Sequence, residues 1–181
     1  MSLFDITVAE AIKNSPAFSP LKIVVEKEIL HHDILRILHE SDLLKELTFI
    51  GGTCLRACYG GIRLSEDLDF TGGKDFTREN LSSMAEVLTK KIYQKYGLPI
   101  KVNEPIEDKK NVDTWKIKIE TRPKQKNIPS QRINIDICAI SSYDKQPTFL
   151  INHYNIDLGT TGLIIQAQSL EEIYTDKLLA F

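Results

Sequence analysis

The longest apolar runs in this 181-residue chain fall well short of the roughly 18 residues a membrane-spanning helix needs, and no apolar leader opens the sequence. Cysteine is scarce and odd in number, at three, which predicts reduced thiols in a cytoplasmic protein. Cys54 and Cys58 are four apart and His31 adjoins His32, yet no four-ligand set with zinc spacing emerges. The three cysteines therefore read as small buried residues. Strong charge of either sign is missing too: a formal net charge of -2 excludes a wholly basic nucleic-acid binder and leaves room only for a local basic face. No Gly-Lys-Ser/Thr follows the glycine pair at Gly51 and Gly52, which excludes a Walker A loop, and no Gly-x-Gly-x-x-Gly dinucleotide fingerprint occurs. Internal repeats and low-complexity tracts are absent.

What is present is ordinary for a globular domain, with 42% hydrophobic and 27% charged residues, and the length suits one medium domain with a sizeable core. The apolar period predicts a short helix near Val8–Asn14 and a long one within Leu21–Leu44, resting on a core through Ile23, Leu30, Ile34, Leu35, Ile37 and Leu38. Leu47–Ile50 reads as a short buried strand that runs into Gly51-Gly52, followed by a helical turn or two over Thr53–Tyr59. Thr77–Tyr96 reads as an amphipathic helix ended by Gly97 and Pro99. The segments "DLDF", "IKVNEP", "TWKIKIE", "RINIDICAI" and "GLIIQAQ" read as strands, and Ser169-Leu-Glu-Glu is the capping box of a last helix. The class is mixed α/β (α+β), with one sheet of about five strands flanked by helices.

The chemistry concentrates in "FIGGTCLRACYGGIRLSEDLDF". Residues two apart on a strand share a face, so Asp67 and Asp69 present two carboxylates together while Leu68 and Phe70 enter the core. Two adjacent carboxylates repel, and a hard divalent cation such as Mg²⁺ relieves them; solvated acids at a strand end are the plain alternative. Gly51 and Gly52 leave room for a phosphate at a helix N-terminus, with Thr53 adding a hydroxyl, although a Gly-Gly pair also serves as a simple tight turn. In "RINIDICAI" the isoleucines 133, 135 and 137 share one face, and Arg132, Asn134 and Asp136 share the other. Were that strand to lie beside "DLDF", Asp136 would join Asp67 and Asp69 in holding two cations about 3.5–4 Å apart.

These residues resemble a family. Gly51-Gly52-Thr53, Tyr59-Gly60-Gly61 and Arg63-x-Ser65-x-Asp67-x-Asp69-Phe70, supported by Asp136 and by Lys177 in "SLEEIYTDKLLAF", are similar to the AbiEii/AbiGii toxin-like nucleotidyltransferases of the DNA polymerase β-like superfamily. The resemblance implies a nucleotidyltransferase fold and the transfer of an NMP from an NTP to an acceptor, with release of pyrophosphate. It implies Mg²⁺ or Mn²⁺ on Asp67, Asp69 and Asp136, with Asp136 helping to activate the attacking hydroxyl. It also implies that Gly51, Gly52, Thr53 and Lys177 meet the nucleotide phosphates, while Arg63 and Ser65 shape the pocket. RNA, including tRNA, or protein would be the acceptor, and a cognate antitoxin the partner of a toxin-antitoxin or abortive-infection system. On this reading residues 1–46 are helices packing on the core, 47–168 the nucleotidyltransferase core, and 169–181 the start of a C-terminal helical part. Family members continue into a helical half that is not seen here, so a compact, split or truncated chain is expected.

Two other functions fit the same residues: a two-metal nuclease, which needs the acids but not the glycine turn or Lys177, and a nucleotide-binding regulatory module without turnover. Lys90, Lys91, Lys95, Lys109, Lys110, Lys116, Lys118, Arg122, Lys124 and Lys126 make the middle of the chain basic, either as a solvated face or as a surface that steers RNA or nucleotide toward the acids.

Overall fold

In the computed structural model, which describes residues 2–105, 112–125 and 127–179, a seven-stranded mixed sheet carries helices on its apolar face. In chain order the elements are α1 (Leu3–Asn14), a 3-10 turn (Pro16–Leu21), α2 (Lys22–Glu40), β1 (Thr48–Ile50), α3 (Gly51–Tyr59), β2 (Leu68–Thr71), a second 3-10 turn (Arg78–Leu81), α4 (Met84–Tyr96), β3 (Ile100–Asn103), β4 (Val112–Ile119), β5 (Gln131–Cys138), β6 (Lys145–Phe149), β7 (Ile164–Gln168) and α5 (Leu170–Leu179). The strand order is β3-β4-β5-β2-β1-β7-β6. The β2–β5 and β1–β7 pairs are parallel, and the remaining pairs are antiparallel.

Alternation sorts the strands into two faces. Phe49, Leu68, Phe70, Trp115, Ile117, Ile133, Ile135, Ile137 and Ala167 are buried on one face, in a single apolar cluster with Ile29, Leu30, Ile34, Leu35, Ile37 and Leu38 of α2. Ile23 is the exception to the expected stripe, 65% exposed at the first turn of α2. α1 starts on a full capping box between Ser2 and Asp5 and is longer than its sequence period suggested. α2 stops at Glu40, where Asp42 takes a positive φ of 61°. The expected helix from Thr77 is broken near Ser82 and Ser83, giving a 3-10 turn before α4. Of the seven strands, β6 is the one that sequence patterning does not show: Lys145-Gln-Pro-Thr-Phe has a proline and little apolar alternation, as an edge strand tolerates.

Two ion pairs buried on α2 lock the helices to the sheet side. Glu28 receives Arg56 of α3, with a 3.0 Å bond from Nη2, and also the Tyr154 hydroxyl. Glu26 receives Arg122 and the Gln131 amide. Arg122, read from sequence as part of a basic stretch, is thus a structural cation. Lys109, Lys110 and Lys126 of that stretch lie outside the described residues. Among the described residues no helix is long and apolar enough to cross a membrane.

Candidate functional site

β1 passes into α3 without a linker, and the junction demands glycine for two separate reasons. Gly51 has φ +78°, a conformation that L side chains rarely adopt. A Cβ there would also stand 2.6 Å from Asp69 Oδ2. The helix begins at Gly51 itself, earlier than the sequence suggested, and its N-cap Ile50 supplies no side-chain bond to the first amides. That leaves the positive end of α3 uncapped beside Asp69 and, through Gly52, 3.2 Å in Cβ terms from Ser65 Oγ. Gly60, at φ 73°, ends the same helix in a left-handed turn, with Gly60 and Gly61 amides returning to the Arg56 and Leu55 carbonyls.

The sheet register brings the acids together. Asp69 of β2 lies directly opposite Asp136 of the parallel strand β5, on the face away from the core. Burial first, then the charges of Asp136 and Asp67, push the Asp69 carboxyl up to about 6. Asp136 Oδ1 accepts the Thr114 hydroxyl at 2.5 Å, since Thr114 is its register partner on β4. Asp67 stands just before β2, and its Oδ1 accepts the Asn134 amide at 2.9 Å, tying the start of β2 to β5. Asp67 is therefore partly committed to the fold. Among the described residues no group of three or more His, Cys, Asp or Glu side chains converges closely enough to hold a metal ion. The oxygen donors nonetheless suit a hard divalent cation: two carboxylates opposite one another, one of them strained toward protonation, with the charge of Asp67 felt at Asp69.

Thr53 behaves differently from the expectation that its hydroxyl meets a phosphate. It is buried and donates that hydroxyl to the Asp67 carbonyl, so what it leaves at the helix start is its amide. The neighbouring Glu66 carbonyl bonds His31 Nε2 at 3.0 Å, and the Glu66 carboxylate takes Lys27 at 2.6 Å. Helices α2 and α3 thus fix the backbone that carries the acids.

A cavity of about 470 Å³ opens beside the α3 N-terminus, lined by Gly52, Tyr59, Arg63, Ser65, Tyr174 and Lys177 among others. α5 delivers Lys177 and Tyr174: Ser169 Oγ caps it by accepting the Glu172 amide at 3.1 Å. The return arm expected of the capping box is missing, because the Glu172 carboxylate instead receives Ser142 Oγ and the amides of Tyr143 and Asp144. Arg63 is exposed and Lys177 half-buried, and among the described residues neither pairs with a carboxylate. The structure therefore gathers Gly52, Arg63, Ser65 and Lys177 around one cavity, while Gly51 stands against Asp69, which is the register partner of Asp136. Thr114 and the Asn134 amide were not legible as site groups, since only strand register reveals which residue faces an aspartate. Cys54 and Cys58 are buried thiols, Cys138 is half-buried on the open face, and all three are free.

Against known proteins, a family profile described as nucleotidyl transferase AbiEii toxin, type IV TA system, matches residues 33–181. No curated protein matches the sequence. Among solved structures the fold is similar to JHP933 from Helicobacter pylori, at TM-score 0.51 and 20% identity over 86% of this chain and 58% of that one. A second H. pylori structure, described provisionally as a nucleotidyltransferase, aligns at TM-score 0.49 and 18% identity over 84% of this chain and 58% of that one. The chain thus spans under two thirds of the length of either.

Proposed function

The chain belongs to the AbiEii nucleotidyltransferase toxin family, and from that premise we propose that it transfers a nucleoside monophosphate from an NTP to an acceptor hydroxyl with release of pyrophosphate. The observation that supports this most is the close approach of the uncapped α3 N-terminus at Gly51 to Asp69, the register partner of Asp136, while the next residue, Gly52, lines a cavity with Arg63 and Lys177. Helix-start amides for phosphate oxygens thus lie beside both the carboxylates and the cation-lined cavity. A two-metal nuclease has no special need for the glycine turn or Lys177.

In this reading the first amides of α3 and the side chains of Lys177 and Arg63 bind the triphosphate, and Ser65 closes the wall beside Gly52. Asp69 and Asp136, with the second oxygen of Asp67, would hold Mg²⁺ or Mn²⁺, which supplies charge neutralisation at the phosphates. The acceptor oxygen bonds to the α-phosphorus as the bond to the departing pyrophosphate breaks, the two oxygens roughly in line. Asp136 takes the hydroxyl proton, its carboxylate oriented by the Thr114 hydroxyl. A cytoplasmic toxin with a cognate antitoxin is the biological setting the family suggests.

Incubation with each α-labelled NTP and cell extract tests the reaction. Label should move to a macromolecule with stoichiometric pyrophosphate, and Asp136→Asn should cut transfer by about 10² or more while NTP binding persists. Shortening of an added nucleic acid with no transfer of label, or transfer reduced less than tenfold in Asp136→Asn, would overturn the assignment.

A further inference from the structure

Resting on that reading, we propose that His31 is a positioning residue for Asp67: as the Nε2–H tautomer, its imidazole holds the peptide group that precedes Asp67 and so sets the direction of that carboxylate as a ligand to a divalent cation.

The two aspartates of "DLDF" are held by different means. Asp69 lies inside the sheet, between Ile50 of β1 and Asp136 of β5, and the ladder fixes its backbone on both sides. Asp67 stands one residue before β2, at the end of residues 60–67, which form neither helix nor strand. Its direction has to come from elsewhere. Two dihedrals set where a side chain leaves the main chain, and they relate the peptide planes on either side of the Cα. Thr53 of α3 donates its hydroxyl to the Asp67 carbonyl and fixes the plane that follows. His31 Nε2 of α2 lies 3.0 Å from the Glu66 carbonyl and fixes the plane that precedes. With both planes held, and Oδ1 taken by the Asn134 amide at 2.9 Å, the second oxygen of Asp67 has little freedom left.

The chemistry of His31 suits this task. A carbonyl oxygen only accepts, so Nε2 must carry the proton, which leaves Nδ1 of the neutral ring a bare acceptor. Burial keeps the ring neutral, since it lowers the group to about 4. Among the described residues no protein donor meets Nδ1. His31 shares with Glu28, His32, Thr53, Arg56 and His153 a cavity of about 10 Å³, the lower limit for the single water that would complete the imidazole. One turn earlier on the same face of α2, Lys27 takes the Glu66 carboxylate at 2.6 Å. A single helix therefore grips both the main chain and the side chain of the residue before Asp67.

The test uses the whole chain, with Mn²⁺ as the probe. Water-proton relaxation measures Mn²⁺ bound in the presence of each NTP, and calorimetry in EDTA measures NTP binding without metal. His31→Leu should weaken Mn²⁺ binding by about 10- to 100-fold, the usual consequence of losing a group that orients a metal ligand. Metal-free NTP affinity should not change, because the α3 amides, Arg63 and Lys177 are untouched. His31→Gln, whose side-chain amide can stand where Nε2–H stood, should recover most of the loss. Equal Mn²⁺ affinity in folded His31→Leu and wild type, or no recovery in folded His31→Gln, overturns the proposal and leaves His31 a packing residue. Long-range ¹H–¹⁵N correlation on the wild type keeps the question open to refutation even where His31→Leu does not fold: the Nε2–H tautomer is expected at pH 7, and Nδ1–H would overturn the assignment. Failure of the wild type to bind Mn²⁺ with any NTP would instead sink the transfer reading, whichever tautomer His31 shows.

Discussion

Acids withdrawn from solvent, fully on α2 and partly on the sheet, occur in two regions of this molecule, and they are treated in opposite ways. On α2, Glu26, Glu28 and Asp33 are almost fully buried, and each is matched: Glu26 by Arg122, Glu28 by Arg56 and Tyr154, Asp33 by Lys95 at 2.6 Å, Arg36 at 3.1 Å and the Tyr96 hydroxyl. On the sheet, Asp69 has only other acids as charged neighbours, and its carboxyl is pushed up to about 6. Matched buried charge pins one element to another; unmatched charge in a cleft is a cost that the fold carries for something it binds. The contrast separates scaffold from site with no appeal to relatives.

The largest effect should come from unmatching the scaffold. Arg56→Ala leaves Glu28 buried with only a phenol for a partner and removes the bond to the Gly61 carbonyl, at a cost of about 3–5 kcal/mol in urea denaturation. Asp69→Asn should do the reverse: relief of repulsion leaves the melting temperature unchanged or higher, while transfer is lost. If both variants destabilise alike, the division into matched and unmatched acids is wrong.

The histidines sharpen the same contrast through pH. Burial lowers His31 and His32 to about 4, well below the ordinary value of about 6.5. Between those values the unfolded chain binds protons that the native chain refuses, so their contribution is complete above about pH 6.5 and is lost as pH falls toward 4. From pH 7 to 5 the loss should be on the order of 2 kcal/mol per histidine. Asp69, raised to about 6, acts in the opposite sense over the same range, because its repulsion is relieved on protonation. Urea midpoints should therefore fall more steeply with acid in Asp69→Asn than in the wild type; parallel curves would contradict the strain assigned to Asp69.

Local pattern carried much of this architecture. The face-sharing of Asp67 and Asp69, the polar line of Asp136 and the apolar stripe of α2 depend on periods of 2 and 3.6, which the sequence displays directly. The parallel pairing of β2 with β5 does not, because nothing local to "DLDF" or "RINIDICAI" states that they are neighbours; the Asp69–Asp136 juxtaposition was a conditional that the register fulfils. The same long-range step hid Thr114 and the commitment of Thr53 to the Asp67 carbonyl. β6 escaped notice because an edge strand with Pro147 has no buried face to enforce a period.

A smaller effect is expected at Gly51, where scaffold and site meet. Gly51→Ala imposes a left-handed conformation on a residue with a Cβ, at about 1–2 kcal/mol, and drives that Cβ to within 2.6 Å of the Asp69 carboxylate. Stability should fall modestly while transfer falls far more, since the Asp69 carboxylate must move from its present position. Melting curves together with labelled-NTP transfer check this; a proportional loss of both would make the glycine a structural turn only.

Lys177→Ala should change stability least, because among the described residues the ammonium has no carboxylate partner to lose. Its consequence belongs to binding. The lysine lines the cavity with Gly52, Ser65 and Arg63, on a helix whose start is fixed by Ser169. Its charge adds to that of Arg63 and to the α3 amides wherever a triphosphate lies. Removing one such point charge from a solvent-connected cavity should weaken NTP affinity several-fold at low salt, and the difference should shrink as the Debye length contracts from about 10 Å at 0.1 M to about 3 Å at 1 M. Lys177→Arg restores the charge and should recover most of the affinity, which a purely packing role for the long side chain would not distinguish from Lys177→Met. NTP titrations of the three variants at two ionic strengths therefore decide: Met behaving as Ala, with Arg near wild type, assigns Lys177 to the phosphates, whereas Met behaving as wild type leaves it a surface residue of α5.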